Sequence, residues 1–243
     1  MIGPLAIGAS AAVASLGGCA YAVVWPSCQL WGPAIWRGPA DSRGVAMTFD
    51  DGPTPGPTDS VLDALKAHNA RATFFVIGEN VRRNPDLLRR IDAEGHLIGN
   101  HTFAHWHYGF ICGRRYWDRE MRRTDELIES ILGRRPTYFR PPMGLKTLPA
   151  AIAARRRGHT MVTWSLRAID GVPTTSQRIL ERFESVSGGD ILVLHDGSDP
   201  QVPHRDRSAA GKVIKPLVEM IRAKGLEPMR LDEMLTPTSP RSD

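Results

Sequence analysis

Apolar, strand-like runs alternate with amphipathic, helix-like runs along most of the 243-residue chain, and this alternation constrains the fold more than any other feature. The strand-like runs lie at 44–49, 71–78, 97–100, 137–139, 159–166, 190–195 and 226–231. The helix-like runs between them lie at 57–69, 84–96, 114–132, 147–157, 174–186 and 208–224. Strands and helices alternating at this spacing predict an α/β fold, in which βα units surround a parallel sheet. About six or seven such units fit either a (β/α) barrel or an open, doubly wound sheet.

The N-terminal segment differs from the rest because no side chain between Ile2 and Trp36 carries a charge. Within it, residues 5–25 are mostly apolar and about as long as a helix that crosses a bilayer. We therefore expect residues 1–36 to be a membrane anchor or signal segment, with Cys19 of the "LGGC" box as an alternative lipidation site. A buried helical hairpin is the competing interpretation.

The remaining boundaries follow from local composition. We expect a linker at 37–43, one α/β domain at 44–235 and a disordered tail at 236–243. We expect this domain to be an anchored monomer that faces the periplasm or the cell exterior. Arg37 and Arg43 leave the orientation open, because the positive-inside rule would place the residues after the apolar segment in the cytoplasm.

Charge and cysteine content limit the classes of partner. A net charge of +5 and a pI of about 9.4 favour a membrane surface, a polyanionic wall polymer or a phosphorylated substrate. No Lys/Arg run is interleaved with aromatic residues, so basic stretches such as 155–157 are interpreted as solvated helix faces and no nucleic-acid partner is expected. The three cysteines lack C-x-x-C spacing, which argues against a disulfide framework and a cysteine zinc site. No glycine-rich nucleotide motif follows the first strand.

Two neighbouring carboxylates, Asp50 and Asp51 in "VAMTFDDGP", stand where the first strand is expected to end. In one cleft such like charges repel each other unless they share a cation or a proton. His101 and His105 in "HTFAH" are spaced so that both imidazoles can bind one cation. Two histidines and one carboxylate form a site with positions open for water and substrate, which is a catalytic arrangement. This ligand set suits Zn²⁺, with Fe²⁺, Co²⁺ or Ni²⁺ as alternatives.

Chemically active side chains follow five of the strand-like runs, at the edge where parallel α/β folds place their sites. They are Asp50 and Asp51, His101 and His105, Arg140, Asp170, and His195. By contrast, we interpret His107 as a groove or surface residue and His96 as a packed histidine.

Five segments resemble, in order, the motifs of the polysaccharide deacetylase family, which is also known as the NodB-homology group or carbohydrate esterase family 4. They are "TFDDGP" (48–53), "HTFAH" (101–105), "RPPMG" (140–144), "TWSLRAID" (163–170) and "LVLHDG" (192–197). The resemblance spans roughly residues 44–232. It implies a distorted (β/α) barrel of about six to seven parallel strands, with a metal ion in the groove at the strand ends.

The resemblance also implies roles for the residues that carry it. Asp51, His101 and His105 would bind the metal. Asp50 would be the general base, and Arg140 would pair with Asp50 and keep it ionised.

The other implied roles concern the leaving group and the acyl group. His195 would be the general acid that protonates the leaving amine, and Asp170 would orient it. The backbone N–H of Met143 would stabilise the oxyanion, Leu194 would line the acetyl-methyl pocket, and Pro141 would also contact the substrate.

The implied function is metal-dependent hydrolysis of N-acetyl groups on the amino sugars of peptidoglycan, a chitin-type oligomer or a lipid-linked glycan. Two departures from the family pattern concern the groove wall, because Gly171 stands where a tryptophan is usual and Met143 where an aromatic residue is frequent. The competing hypotheses are a deformylase or amidohydrolase acting on a lipid-linked sugar or small amide, an acetyl-ester esterase, and a non-catalytic carbohydrate-binding protein.

Overall fold

A computed structural model of the chain describes residues 18, 20–202 and 208–236. Its described strands form one curled sheet in which every pairing between strands is parallel. The strands are β1 (Ala34–Ile35), β2 (Gly44–Asp50), β3 (Thr73–Val76), β4 (Leu97–Asn100), β5 (Tyr138–Phe139), β6 (Thr160–Val162), β7 (Leu166–Arg167), β8 (Ile191–His195) and β9 (Glu227–Met229). Their spatial order is β1-β6-β5-β4-β3-β2-β8-β7, and β9 pairs with the first half of β2. This curled α/β sheet confirms the barrel-like fold class.

Helices connect successive strands and cover the outer face of the sheet. They are α1 (Pro57–Ala67), α2 (Gly78–Arg83), α3 (Pro85–Ala93), α4 (Arg114–Leu132), α5 (Leu148–Arg156), α6 (Ser176–Phe183), α7 (Ser208–Ala223) and α8 (Leu231–Leu235). Two 3₁₀ turns, His107–Ile111 and Pro142–Gly144, lie at the strand-end face.

The main core lies between the sheet and the helices α1, α6 and α7. Every residue of β2 is buried, because β2 lies in the middle of the sheet with neighbours on both sides. Phe49 stacks on Phe74 of β3 with ring centroids 5.1 Å apart. Val61 and Leu65 of α1 are fully buried in the same cluster. This packing makes β2 a rigid support for the two carboxylates at its end.

The structure departs from the sequence expectation in several places. The run 159–166 is divided into β6 and β7, because Ser165 between them accepts a hydrogen bond from the N–H of Ile191 at 3.0 Å and donates one to Asp190 at 2.8 Å. Helix α2 and the short β1 were not expected from the sequence, since neither is long enough to show a period.

The N-terminal residues that the structure describes pack on the domain. β1 pairs with β6, and the ammonium group of Lys146 donates hydrogen bonds to the carbonyls of Pro26, at 2.9 Å, and Cys28. Arg37, in the expected linker, contacts Asp190 at 3.1 Å. No helix among the described residues has the length and apolar character of a membrane span. Half of the expected anchor, including Cys19, lies outside the described residues, as does most of the expected tail.

Candidate metal centre and active site

The carboxyl ends of the central strands meet around one cavity of about 300 Å³. Asp50, at the end of β2, is in register with His195, at the end of β8. His101 directly follows β4, which is separated from β2 only by β3. Parallel strands therefore bring together side chains that are far apart in the sequence.

Asp51, His101 and His105 form a buried cluster whose candidate ligand atoms all lie within 4.8 Å of one another. Oδ1 of Asp51 is 3.6 Å from Nε2 of His101 and 3.4 Å from Nε2 of His105. One carboxylate oxygen and two imidazole nitrogens converging in this way fit a divalent cation of the zinc type. The structure thus brings together the three side chains that the resemblance implies as metal ligands.

Hydrogen bonds orient His101 for this role. Its Nδ1 donates to the backbone carbonyl of Arg140 at 2.7 Å, which leaves Nε2 as the basic nitrogen facing Asp51. Burial, with a smaller contribution from neighbouring His105, lowers the pKa of His101 to about 3. A neutral imidazole is the form that binds a metal.

Asp199 orients the second histidine, and the sequence analysis did not identify it. Its Oδ2 is 3.3 Å from Nδ1 of His105 and 2.5 Å from Nε2 of His107. Burial opposes protonation of His105, but the charges of Asp51 and Asp199 outweigh burial and raise its pKa. His107 lies on the cavity wall and contacts Asp199. The signal available in the sequence was the place of Asp199, just after the end of a strand.

Asp50 has a different partner from its neighbour. Its Oδ1 accepts a hydrogen bond of 2.7 Å from Nη1 of Arg140, which is itself fully buried. The same Nη1 reaches the hydroxyl of Thr48 at 2.7 Å, and Nη2 donates to the carbonyl of Thr163 at 2.9 Å. The guanidinium also lies 4.1 Å from the ring centroid of Phe75. A buried guanidinium held this firmly fixes one oxygen of Asp50 and so the direction of the other.

His195 lies across the cavity in a pair with Asp170. Oδ1 of Asp170 is 2.6 Å from Nδ1 of His195, and its Oδ2 accepts the backbone N–H of His195 at 2.9 Å. The carboxylate therefore fixes both the ring and the backbone of His195. Because this contact engages Nδ1, proton transfer by His195 would use Nε2.

The residues expected to contact the substrate fall into two groups. Met143 lines the cavity, is 47% exposed and has a φ of 55°. Pro141, two residues earlier, is buried at the start of the same turn. Leu194 is fully buried in the core between the sheet and the helices. Val193, the preceding residue, lines the cavity instead, because successive residues of a strand point to opposite faces.

Left-handed backbone conformations concentrate around the cavity. Asp51, Thr102, His105, Met143 and Ile169 all have φ between 49° and 75°. Such conformations are uncommon for residues other than glycine, and they cluster at functional sites when the surrounding structure holds them in place.

A further buried carboxyl, Asp196, supports the loop that carries Asp51. Its Oδ2 accepts a hydrogen bond of 2.7 Å from the hydroxyl of Thr58. Burial raises the pKa of Asp196 to about 7. A Cβ at Gly52 would lie 2.2 Å from this Oδ2, so the close approach of the loop requires glycine at position 52.

Taken as chemistry, the site combines a cluster of candidate metal ligands with an arginine-paired carboxylate on one flank and a carboxylate-held imidazole on the other. This arrangement can polarise a carbonyl, accept a proton from water and donate a proton to a leaving group.

A family model for polysaccharide deacetylases matches residues 37–162. A peptidoglycan-N-acetylglucosamine deacetylase of Bacillus cereus is 32% identical over 84% of this chain and 93% of its own length. A chitooligosaccharide deacetylase of Rhizobium leguminosarum bv. trifolii is 35% identical over 66% of this chain and 75% of its own. A crystal structure of a peptidoglycan N-acetylglucosamine deacetylase, in complex with a naphthyl-substituted N-hydroxybenzamide, superposes with a TM-score of 0.77 and 28% identity over 85% of this chain and 94% of that one.

Proposed function

The chain belongs to the polysaccharide deacetylase family, and from this membership we propose that it hydrolyses N-acetyl groups on the amino sugars of a glycan. The products are acetate and a free amine on the sugar. The observation that supports this proposal most directly is that the two neighbouring carboxylates have different partners. Asp51 faces two imidazoles, whereas Asp50 faces the buried guanidinium of Arg140 at 2.7 Å.

We assign the metal ligands as Asp51, His101 and His105, and the resident cation as Zn²⁺. The buried set of two imidazoles and one carboxylate supports this assignment, since it suits borderline cations better than Mg²⁺ or Ca²⁺. When bound, such a cation supplies Lewis-acid polarisation of the acetyl carbonyl and acidifies water.

Asp50 acts as the general base. Its Oδ1 is held by Arg140, and its Oδ2 lies 3.9 Å from Nε2 of His101, at the edge of the cation cluster. From this position it accepts a proton from the water whose oxygen forms a bond to the acetyl carbon. General-base catalysis of this kind contributes about 10²–10⁴-fold to the rate.

His195 acts as the general acid, and Asp170 is its positioning residue. The 2.6 Å contact between Oδ1 of Asp170 and Nδ1 of His195 supports this role because the carboxylate stabilises the imidazolium. Nε2 gives its proton to the amide nitrogen as the carbon–nitrogen bond breaks. The backbone N–H of Met143 remains our candidate for the oxyanion contact, and Val193 replaces Leu194 as the candidate lining of the acetyl-methyl pocket.

The location of the enzyme and its glycan are also proposals. We propose that it acts at the periplasmic or outer side of the membrane on a cell-wall or membrane-associated glycan. The names of the relatives and the net charge of +5 support this. A membrane anchor stays a prediction for the N-terminal residues that the structure does not describe.

The test is metal analysis combined with product analysis. Purified protein, stripped with a chelator and reloaded with Zn²⁺, is expected to release acetate from N-acetylglucosamine oligomers or peptidoglycan strands only in the loaded form. Release of formate from formylated sugars instead of acetate would support the deformylase hypothesis. Release of acetate only from O-acetylated xylan would support the esterase. A loaded protein that binds these glycans but hydrolyses none of them would be a non-catalytic binding protein.

A further inference from the structure

One cationic side chain lines the catalytic cavity without a role in the proposed chemistry. Arg167 is exposed, and it is the only lysine or arginine among the described residues that line this cavity. No carboxylate of the described residues lies within ion-pair distance of its guanidinium, whose one recorded contact is with the ring of Trp164 at 6.0 Å. Most other arginines of the domain, in contrast, hold a carboxylate. Arg167 is therefore charged, accessible and available to a ligand.

Strand register places Arg167 on the same face as the reacting groups. Its Cα pairs with that of Val193, whose side chain lines the cavity, while Leu166 pairs with core residue Leu192. His195 lies two residues beyond Val193 and so points to the same side. With strands about 4.8 Å apart and about 6.6 Å between alternate residues, the Cα atoms of Arg167 and His195 are roughly 8 Å apart. An extended arginine side chain spans most of that distance.

The segment after Arg167 is held in a shape that favours contact with a ligand. Ile169 has a φ of 53°, which is a true outlier for a β-branched residue, and its side chain is 41% exposed on the cavity wall. Arg182 stabilises this shape by donating a 2.5 Å hydrogen bond to the carbonyl of Ala168. Strain of this kind persists only where the surrounding structure holds it, and it clusters at active sites and ligand contacts.

The charge around the cavity explains why an arginine is needed there. Three carboxylates line the wall, but each is already engaged: Asp50 by Arg140, Asp51 in the cation cluster, and Asp199 by two histidines. Apart from Arg167, the described residues that line the cavity offer an anionic ligand only histidine side chains and a bound cation as positive partners. An arginine at the rim supplies a planar, two-pronged donor that matches a carboxylate.

We propose that Arg167 binds a carboxylate that the glycan carries next to the acetamide being hydrolysed. The preferred substrate is then an acidic N-acetylated glycan, specifically a peptidoglycan strand with the lactyl carboxylates of muramic acid, rather than a neutral N-acetylglucosamine polymer. A lactyl group lies on the sugar carbon next to the one that bears the acetamide, or on the adjoining sugar. Within one muramic acid residue the two groups stand on neighbouring ring carbons, whereas a lactyl group on the adjoining sugar lies across the glycosidic bond. This inference rests on the proposed deacetylase function and narrows its substrate.

The experiment compares two matched substrates. Strands of alternating N-acetylglucosamine and N-acetylmuramic acid, freed of peptides, are used with intact carboxylates or with the carboxylates converted to carboxamides. For the zinc-loaded full chain we expect kcat/KM for acetate release to be about three- to tenfold higher on the carboxylate form, mainly through KM, because a partly exposed charge-assisted pair is worth about one kcal/mol. The preference decreases as the salt concentration rises.

Variants then assign the preference to one residue. Arg167→Gln is expected to bring the ratio of the two kcat/KM values close to one, and Arg167→Lys to give an intermediate ratio because an ammonium lacks the two-pronged geometry. Arg178→Gln removes the same charge from an exposed position on α6 outside the cavity and should keep the wild-type ratio.

The outcomes separate the two proposals. Equal efficiency of the wild type on both substrates, or an undiminished preference in Arg167→Gln, would overturn the assignment of Arg167 while leaving the deacetylase function in place. Acetate release from neither form, nor from N-acetylglucosamine oligomers, would refute the proposed function and this inference with it.

Discussion

Asp199 provides the most direct test of how the candidate metal ligands Asp51, His101 and His105 are held in place. The change Asp199→Asn removes a buried negative charge that lies 3.3 Å from Nδ1 of His105 and 2.5 Å from Nε2 of His107. Nδ1 of His105 faces this carboxylate, whereas its Nε2 faces Asp51 at 3.4 Å. A carboxamide carries no charge and presents its own N–H groups to one of the two imidazoles. His105 is then less basic and less well fixed.

The magnitude follows from this geometry. Loss of a residue that orients a metal-binding histidine typically weakens metal binding by about 10–100-fold, which is about 1.4–2.8 kcal/mol. This range agrees with the roughly 1.5–3 kcal/mol of a hydrogen bond to a charged group. Because the contact with His105 is long, whereas the contact with His107 is short, we expect a Kd for Zn²⁺ increased by a factor near the lower end, about tenfold.

The assay is competition for Zn²⁺ between metal-free protein and a chromophoric chelator, which measures binding without relying on activity. Asp86→Asn is the matched control, because it removes a carboxylate that is almost fully exposed on α3 and pairs only with Arg89. Thermal unfolding of the metal-free variants shows whether the fold is retained. A Kd for Asp199→Asn within about twofold of the wild type, with the fold intact, would refute the reasoning, as would an equal loss in the control.

Three further predictions concern the base, its partner and the response to acid. Asp50→Asn should lower acetate release by about 10²–10⁴-fold while the protein still binds one equivalent of Zn²⁺; unchanged turnover would contradict the base assignment. Arg140→Met should lower the free energy of unfolding in urea by about 3–5 kcal/mol, since it leaves buried Asp50 without its partner; a loss below about 1 kcal/mol would show that the pair contributes little. Burial lowers the pKa of His96 from 6.5 to about 4, so between these pH values the unfolded chain binds a proton that the folded chain does not. Unfolding free energy should therefore fall as the pH falls from 6.5 to 4, by at most about 3 kcal/mol, and His96→Gln should flatten this slope; identical slopes for the two proteins would contradict the assignment.

The helices and strands that the sequence predicted well are those with strong local signals. The boundaries of α4 agree at both ends, and at its C-terminus Gly133 adopts a left-handed φ of 73° and ends the helix. β4 agrees because turn residues flank a short apolar run. By contrast, β1 has only two residues, and its pairing with β6 depends on a partner more than a hundred residues away. No local pattern records such a contact.

The candidate site was predictable in part for the same reason. The Asp-Asp pair, the two histidines four residues apart, and His195 follow strand ends, so their convergence could be expected from a parallel sheet. Asp199 could not be selected in the same way, because it lies in a polar turn that resembles any surface loop. The sequence analysis also placed Leu194 on the cavity wall, whereas the structure places Val193 there. The face on which a strand residue lies depends on register, and a shift of one residue reverses it.

By itself, the sequence determined the α/β class, the order of the motifs and the types of chemical group available, because these depend on periodicity and on the ends of elements along the chain. Only the tertiary structure decided that Asp199 joins His105 to His107, that Val193 rather than Leu194 lines the cavity, and that Arg167 stands accessible beside the reacting groups. These outcomes depend on strand order, register and loop conformation. Such features arise from packing between distant residues, so no local stretch of sequence contains them.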